Sequence, residues 1–308
     1  MTVLQHYPMF GPALDLAALS SVGVGPRARP ENQDNFLLID RGGAASFLSG
    51  EQLRTTRLPL WTAGHSRVAV LDGMGGHGWG RQAAEAVVAG LLALPPCSSL
   101  EALSSALDRL HARLQLAFSE STTPDRRPGT TLTLLELPPT GPALLYHVGD
   151  SRLYEIRGGK AVPLTVDHVP ATVLAMEGMF DEFGWWELVH GEHRPQISQA
   201  FILGNTFEDP SGLADGLHPL SSENLPAFLA HMGDRRALAL EPGITYVLAS
   251  DGFWSCADPH SWVERWPALL AGASTAADKA ATLFETMAAS PPPDVHPDNL
   301  TAIILVAK

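Results

Sequence analysis

Three apolar runs in this chain each end on an aspartate followed by a small residue: VAVLDG at Asp72-Gly73, LYHVGDS at Asp150-Ser151 and VLASDG at Asp251-Gly252. A carboxylate at the tip of a buried strand is costly unless something cationic neutralises it. Asp298 opens a further apolar run, DNLTAIILV, and Asp34 closes the loop RPENQD just before Phe36. Strands that aim such tips at one point build an oxygen-rich cluster, which suits hard divalent cations, Mg²⁺ or Mn²⁺. Taken singly, each acid has a plainer reading. Asp-Gly is an ordinary hairpin turn, Asp150-Ser151 reads equally as a turn between Val148 and Leu153, and Asp298-Asn299 as one after Pro297. Recurrence after unusually apolar runs is what favours the cluster.

Charge balance agrees with cations as partners. Twenty Lys+Arg stand against 33 Asp+Glu, a formal net charge of −13. That excess repels nucleic-acid phosphates and is no polybasic membrane anchor. The 308 residues, 45% hydrophobic and 17% charged, are enough for a sizeable core and exclude wholesale disorder. Cys97 and Cys256 lie far apart without metal-ligand spacing, so a disulfide framework is excluded and a cytoplasmic location is expected. The start of the chain lacks the basic and apolar regions of a signal peptide, and no apolar run reaches the length of a membrane span.

Periodicity gives the order of elements. Leu16 to Val24, Phe36 to Ile39 and Ser66 to Leu71 read as strands. Ala84, Val88 and Leu92 line one helix; Leu100, Leu103, Leu107, Leu110, Leu114 and Phe118 line a second, parted from the first by Pro95-Pro96. Strands return at Thr130 to Leu137, Ala143 to Val148 and Leu153 to Ile156, and later at Thr245 to Ala249 and Leu300 to Val306. Two more helical stretches lie between Pro259 and Ser290. Strands and helices do not alternate regularly, which counts against a doubly wound parallel sheet and fits stacked antiparallel sheets with helix pairs outside. Val169 to Gly243 carries MFDEFGWWE and no clean period; it reads as an irregular flap on a single domain spanning 1–308. Trp185, Trp186 and Phe183 suit either packing of that flap or a partner surface, packing being the more ordinary use.

Asp72 opens DGMGGHGWG, five glycines in nine residues before a helix, a backbone that can approach an anion or a metal closely. It fits neither the P-loop nor the dinucleotide fingerprint. Arg29 stands five residues before Asp34; its planar fork can take two phosphate oxygens beside an acid-held metal, although a lone loop arginine is usually just solvated.

Taken in order, RPENQD, VAVLDGMGGHGWG, GTTL, HVGDSRLYEIRGGK, LTVDH, VLASDGFW and DNLTAIILV resemble the metal-dependent protein phosphatases of type 2C, in particular the bacterial serine/threonine branch. The resemblance runs from about Ser20 to Val306 and is thinnest over Val169 to Gly243, where only ISQAFILGN looks like family sequence. It implies an α+β fold, a four-layer α-β-β-α sandwich of two stacked antiparallel sheets flanked by helix pairs. It implies hydrolysis of phosphoserine and phosphothreonine by a metal-activated water. Asp72 is then the carboxylate bridging two ions, Mn²⁺ or Mg²⁺, with the Gly73 carbonyl on one of them. Asp251 and Asp298 hold the other, Asp150 and Asp251 a third, weaker ion, and Asp34 binds metal or its waters. Arg29 orients the phosphate. The implied partners are phosphorylated proteins, those of a cognate serine/threonine kinase, with no nucleic acid or membrane, and the chain is expected to be a monomer.

The sequence departs from the family pattern at several places. Gln33 stands where many members have Glu, Arg81 where Glu is common, and Met74 where animal members have a histidine proposed as general acid. His77 is a neighbour that more often has a structural use. Neither cysteine lies in a phosphate-cradling loop. Aspartate-nucleophile phosphohydrolases need a second acid two residues on, whereas Asp72 is followed by Gly73 and Met74. A calcium module lacks its DxDxDG spacing. A phosphatase-like scaffold that binds phosphoproteins or regulates a partner is the non-catalytic alternative.

Overall fold

The computed structural model describes residues 2–3, 10–23, 28–75, 79–121, 127–205 and 216–308. His77 lies outside these residues.

Alternate residues of the strands point to different cores. Leu16 and Ala18 of the strand Leu14–Ser21 face one apolar cluster, and Ala17 and Leu19 face another. Phe36 and Leu38 of Asn35–Ile39 join the first cluster, and Leu37 and Ile39 join a third. Strands covered on both faces read as continuous apolar runs, which is why these segments lack a polar side. The cluster shared by both sheets lies between them; helices close the outer faces.

The sheets are antiparallel throughout. One runs in the order Thr2–Val3, Leu14–Ser21, Leu300–Ala307, Thr245–Ala249, Arg152–Arg157, Lys160–Pro163. The other runs Arg235–Leu238, Ala143–Val148, Leu132–Leu137, Ser66–Leu71, Asn35–Ile39, Ala44–Ser49, Gln52–Arg57. The helices Trp79–Ala93 and Leu100–Ser121 cover the second sheet. Arg67, fully buried, fixes their junction: it pairs with Glu136 at 2.6 Å and donates to the carbonyls of Leu91, Leu94 and Pro95. The first sheet is covered by Trp262, Trp266 and the helix Ala276–Ala289. Three helices, not two, occupy 259–290, because Pro267 lacks the amide that would join Pro259–Val263 to Trp266–Leu270.

The segment expected to be an irregular flap is more ordered than its sequence suggests. It holds the helices Pro170–Met176 and Glu182–His190 around a small core of Val166, Ala175, Trp185, Val189, Leu220, Leu225 and Leu229. Its last part, Arg235–Leu238, is an edge strand of the main sheet. Trp185 is buried in the flap core, whereas Phe183 is 73% exposed.

Candidate metal and phosphate site

The acids marked in the sequence converge at the strand ends. Asp72 follows Ser66–Leu71 and Asp150 follows Ala143–Val148 in one sheet. Asp251 follows Thr245–Ala249 and Asp298 precedes Leu300–Ala307 in the other. Arg29, Asp72, Gly73, Asp150, Asp251 and Asp298 line one open cavity of about 570 Å³. Asp34 does not line it. It is buried behind, where its Oδ2 accepts from Ser250 Oγ at 2.7 Å.

Backbone contacts hold these tips in place. The Asp72 amide donates to Thr131 Oγ1 at 2.8 Å, and the Thr131 amide to the Asp72 carbonyl at 2.9 Å. Asn299 ties the Arg29 loop to the last strand: its Oδ1 accepts from the Gln33 amide at 2.8 Å and its Nδ2 donates to the Glu31 carbonyl at 3.0 Å. Gly73 and Gly80 press together so closely that a Cβ on Gly73 would lie 2.3 Å from the Gly80 carbonyl oxygen. The glycine-rich stretch is thus needed to seat the first helix against the Asp72 turn.

Burial, then mutual repulsion, dominates the electrostatics. Burial and the neighbours Asp34, Asp251, Asp298 and Asp150 push the Asp72 carboxyl well above its ordinary value. Burial, with Asp298 and Asp251, raises Asp34 to about 7 against the Ser250 hydrogen bond. Burial raises Asp298 to about 6, with Asp251 adding and Arg29 opposing. Asp150 is pushed to about 8 by burial and then by Asp251 and Asp167. Asp251 goes the other way: its burial is outweighed by the close approach of His193, whose Nε2 lies 3.1 Å from Asp251 Oδ2. His193 is itself raised, burial notwithstanding, by Asp251 and Asp150.

His193 was not visible in the sequence. It comes from the flap, 58 residues from its acid in a stretch without period, and only the fold makes the pair. Arg152 of GDSR is a second such residue. It is buried, it grips Asp167 at 2.7–3.0 Å, and it donates to Tyr154 Oη at 3.0 Å and to the Val189 carbonyl at 2.7 Å. Arg29 is half exposed and donates to the Pro297 carbonyl at 2.9 Å and to Asp298 Oδ2 at 3.3 Å. Gln33 lines the cavity, but its amide donates to Glu31 Oε1 at 2.7 Å.

Among the described residues, no three His, Cys, Asp or Glu side chains are already drawn together as a cage for one ion. The donor set nonetheless fits hard cations in its chemistry: carboxylates raise one another's proton affinity, and Asp251 Oδ1 is buried without a hydrogen-bond partner. A cation would replace the protons these groups otherwise hold.

The raised carboxyls fix the sign of a pH effect. Their folded pKa values of about 6 to 8 lie above the ordinary 3.8, so over that interval the folded state holds protons that the unfolded chain has released. The buried histidines His111, His147 and His190, held neutral by burial, work the other way up to about pH 6.5. Cation-free protein should therefore lose stability as pH rises from about 6.5 to 8, by several degrees in Tm, and Mn²⁺ should raise Tm more at the upper pH. A chelated sample whose Tm climbs across this range in thermal scans would contradict the clustering.

No protein-family model matches the chain, and no curated protein does. Solved structures do. A serine/threonine phosphatase of S. agalactiae aligns at 20% identity over 96% of this chain and 100% of its own, with a TM-score of 0.65. The Mycobacterium tuberculosis serine/threonine phosphatase PstP/Ppp aligns at 23% identity over 96% and 99%, with a TM-score of 0.60. The catalytic domain of PstP in complex with 2 manganese ions aligns at 23% identity over 96% and 98%, with a TM-score of 0.58. With its two stacked antiparallel sheets between helices, the chain has the fold of the bacterial serine/threonine phosphatases.

Proposed function

We propose that this chain is a metal-dependent serine/threonine protein phosphatase, hydrolysing phosphoserine and phosphothreonine monoesters of proteins. The observation that carries the reading is the gathering of Asp72, Asp150, Asp251 and Asp298 with Arg29 on one cavity. A phosphoryl group needs positive charge around its oxygens, and the cavity offers one arginine amid acids that themselves call for cations. The ions bound to the PstP catalytic domain support two Mn²⁺ or Mg²⁺ here. Asp72, the Gly73 carbonyl, Asp251 and Asp298 would hold them, and Asp150 with Asp251 a third, weaker one. Asp34, bonded to Ser250, stands behind and orders what surrounds the ions.

Such ions would polarise the phosphoryl group and make water nucleophilic near neutral pH. The chain itself positions the substrate. Arg29 can turn its half-exposed fork from Asp298 to two phosphate oxygens. No Ser, Thr, Cys, His or Lys lines the cavity among the described residues, and Asp72 lacks the second acid two residues on that an aspartate nucleophile needs, which favours water as nucleophile. His193 meets Asp251 from the flap side of the site, its Nε2 3.1 Å from Asp251 Oδ2. No helix among the described residues is long and apolar enough to cross a membrane; we place the enzyme in the cytoplasm, as a monomer acting on the products of a serine/threonine kinase.

The test is hydrolysis of an aryl phosphate with Mn²⁺, with and without chelator. Turnover that chelation abolishes supports the reading; none at any Mn²⁺ concentration favours a binding scaffold. Arg29→Ala should raise KM about tenfold or more while metal content by elemental analysis stays unchanged. Loss of metal with KM unaltered would make Arg29 a support for Asp298 instead.

A further inference from the structure

Asp150 stands on the turn between the strands Ala143–Val148 and Arg152–Arg157, so the direction of its carboxyl depends on what grips that turn. Gly149, the residue before it, takes φ +107°, and a Cβ there would lie 2.6 Å from Thr131 Cγ2. Only glycine suits such a place. The turn is thus packed against the same threonine that bonds the Asp72 backbone.

His168, which closes LTVDH, grips the same glycine. Its amide donates to the Gly149 carbonyl at 2.8 Å, and its ring Nδ1 accepts from the Gly149 amide at 3.1 Å. Its Nε2 lies 3.1 Å from Asp234 Oδ2. Both His168 and Asp234 are buried. These contacts select one tautomer. A backbone amide can only donate, so Nδ1 must be the lone-pair nitrogen; Nε2 then carries the proton and donates to the Asp234 carboxylate. The opposite tautomer would set Nδ1–H against the Gly149 N–H and turn a lone pair toward Asp234. Asp234 is itself anchored through its backbone: its carbonyl accepts from the His147 amide at 2.9 Å and its amide donates to the Leu220 carbonyl at 3.0 Å.

We propose that His168 is a positioning residue for Asp150. Asp234 fixes the imidazole, the imidazole holds the Gly149 amide, and the turn so held aims the Asp150 carboxyl into the acidic cavity. Neither His168 nor Asp234 borders that cavity; both act through the backbone. The inference rests on the reading of Asp150 as a ligand of the weaker ion. Partners one step behind a metal ligand commonly change its affinity for metal ten- to a hundredfold.

Two variants of the full chain, titrated with Mn²⁺ by calorimetry, separate the two ring contacts. His168→Asn brings an amide oxygen near the place of Nδ1 and keeps an acceptor for Gly149. His168→Gln reaches the place of Nε2 and keeps only the contact to Asp234. His168→Gln should weaken the weakest Mn²⁺ about tenfold or more and spare the tighter ones, while His168→Asn stays within about threefold of wild type. In an Asp150→Ala background the two variants should bind Mn²⁺ alike, because the carboxyl they orient is gone. Equal affinities in the presence of Asp150, or a weakening that reaches the tighter ions too, would overturn the role. Nitrogen-15 NMR of the wild-type imidazole needs no variant to fold: Nε2 should carry the proton and Nδ1 should not, and the reverse assignment would also overturn it. Chelator-sensitive turnover combined with an unchanged weakest ion in His168→Gln would sink this inference alone. A wild-type chain that binds no Mn²⁺ would sink it together with the reading of the site.

Discussion

Asp72→Asn should leave less than about a tenth of the Mn²⁺-dependent rate while the fold stays intact. Asp72 is the carboxyl that feels all four of the others, Asp34, Asp251, Asp298 and Asp150. Any cation held between the two sheets relies on its charge, and an amide oxygen is a far weaker ligand for a hard ion. The local structure does not rely on that charge, because the hydrogen bonds to Thr131 use the backbone amide and carbonyl of residue 72. Removing one of several crowded negative charges should also raise the stability of chelated protein. Activity assays at saturating Mn²⁺ beside thermal melts in chelator check both halves. A variant retaining more than a tenth of the rate would remove Asp72 from the centre of the site.

Arg152→Ala should destabilise the protein by about 3 to 5 kcal/mol, because it leaves the buried Asp167 carboxylate without its cation. For a chain of this size that amounts to roughly 5 to 8 °C in Tm. Several losses coincide: the bidentate grip on Asp167, the hydrogen bonds to Tyr154 and Val189, and the guanidinium face over Trp254 at 4.9 Å. Arg152→Lys should recover little, since an ammonium cannot make the planar fork. Replacing the pair together, as Arg152→Met with Asp167→Leu, should cost less than Arg152→Ala alone. Urea unfolding of the four proteins measures this. If Arg152→Ala lay within about 1 kcal/mol of wild type, the pair would have no structural weight.

What the sequence exposed and what it hid follow one division. Asp72, Asp150, Asp251 and Asp298 stood out because each interrupts an apolar run at its end, a local pattern that survives without knowledge of the fold. Residues 66–71, 245–249 and 300–307 were legible as strands because both faces are buried. The hairpin Ala44–Ser49 with Gln52–Arg57 was not. Its outer strand is mostly exposed and polar, and its turn uses Gly50 and Glu51, both at positive φ, in place of a familiar Asn-Gly pair. His193 and the Arg152–Asp167 pair were hidden for another reason. Their chemistry depends on partners brought near by tertiary structure, and no spacing rule links residue 193 to residue 251. The flap helices are short, at 7 and 9 residues, too brief for a helical period to show against a background of Pro and Gly.

Two of the polar contacts that join the flap to the sheets lie at the site's own margin: Arg152 reaches the Val189 carbonyl, and His193 reaches Asp251. Covering segments are commonly treated as interchangeable parts. This one is not readily exchanged. A transplant from a relative would have to bring a carbonyl to the Arg152 donor and a hydrogen-bonding side chain to Asp251, or leave a buried donor and a buried acid unmet. The flap's sequence can therefore drift most freely at the outward face around Phe183, which carries neither contact, while its inner edge is bound to change only in step with the strands that carry the acids.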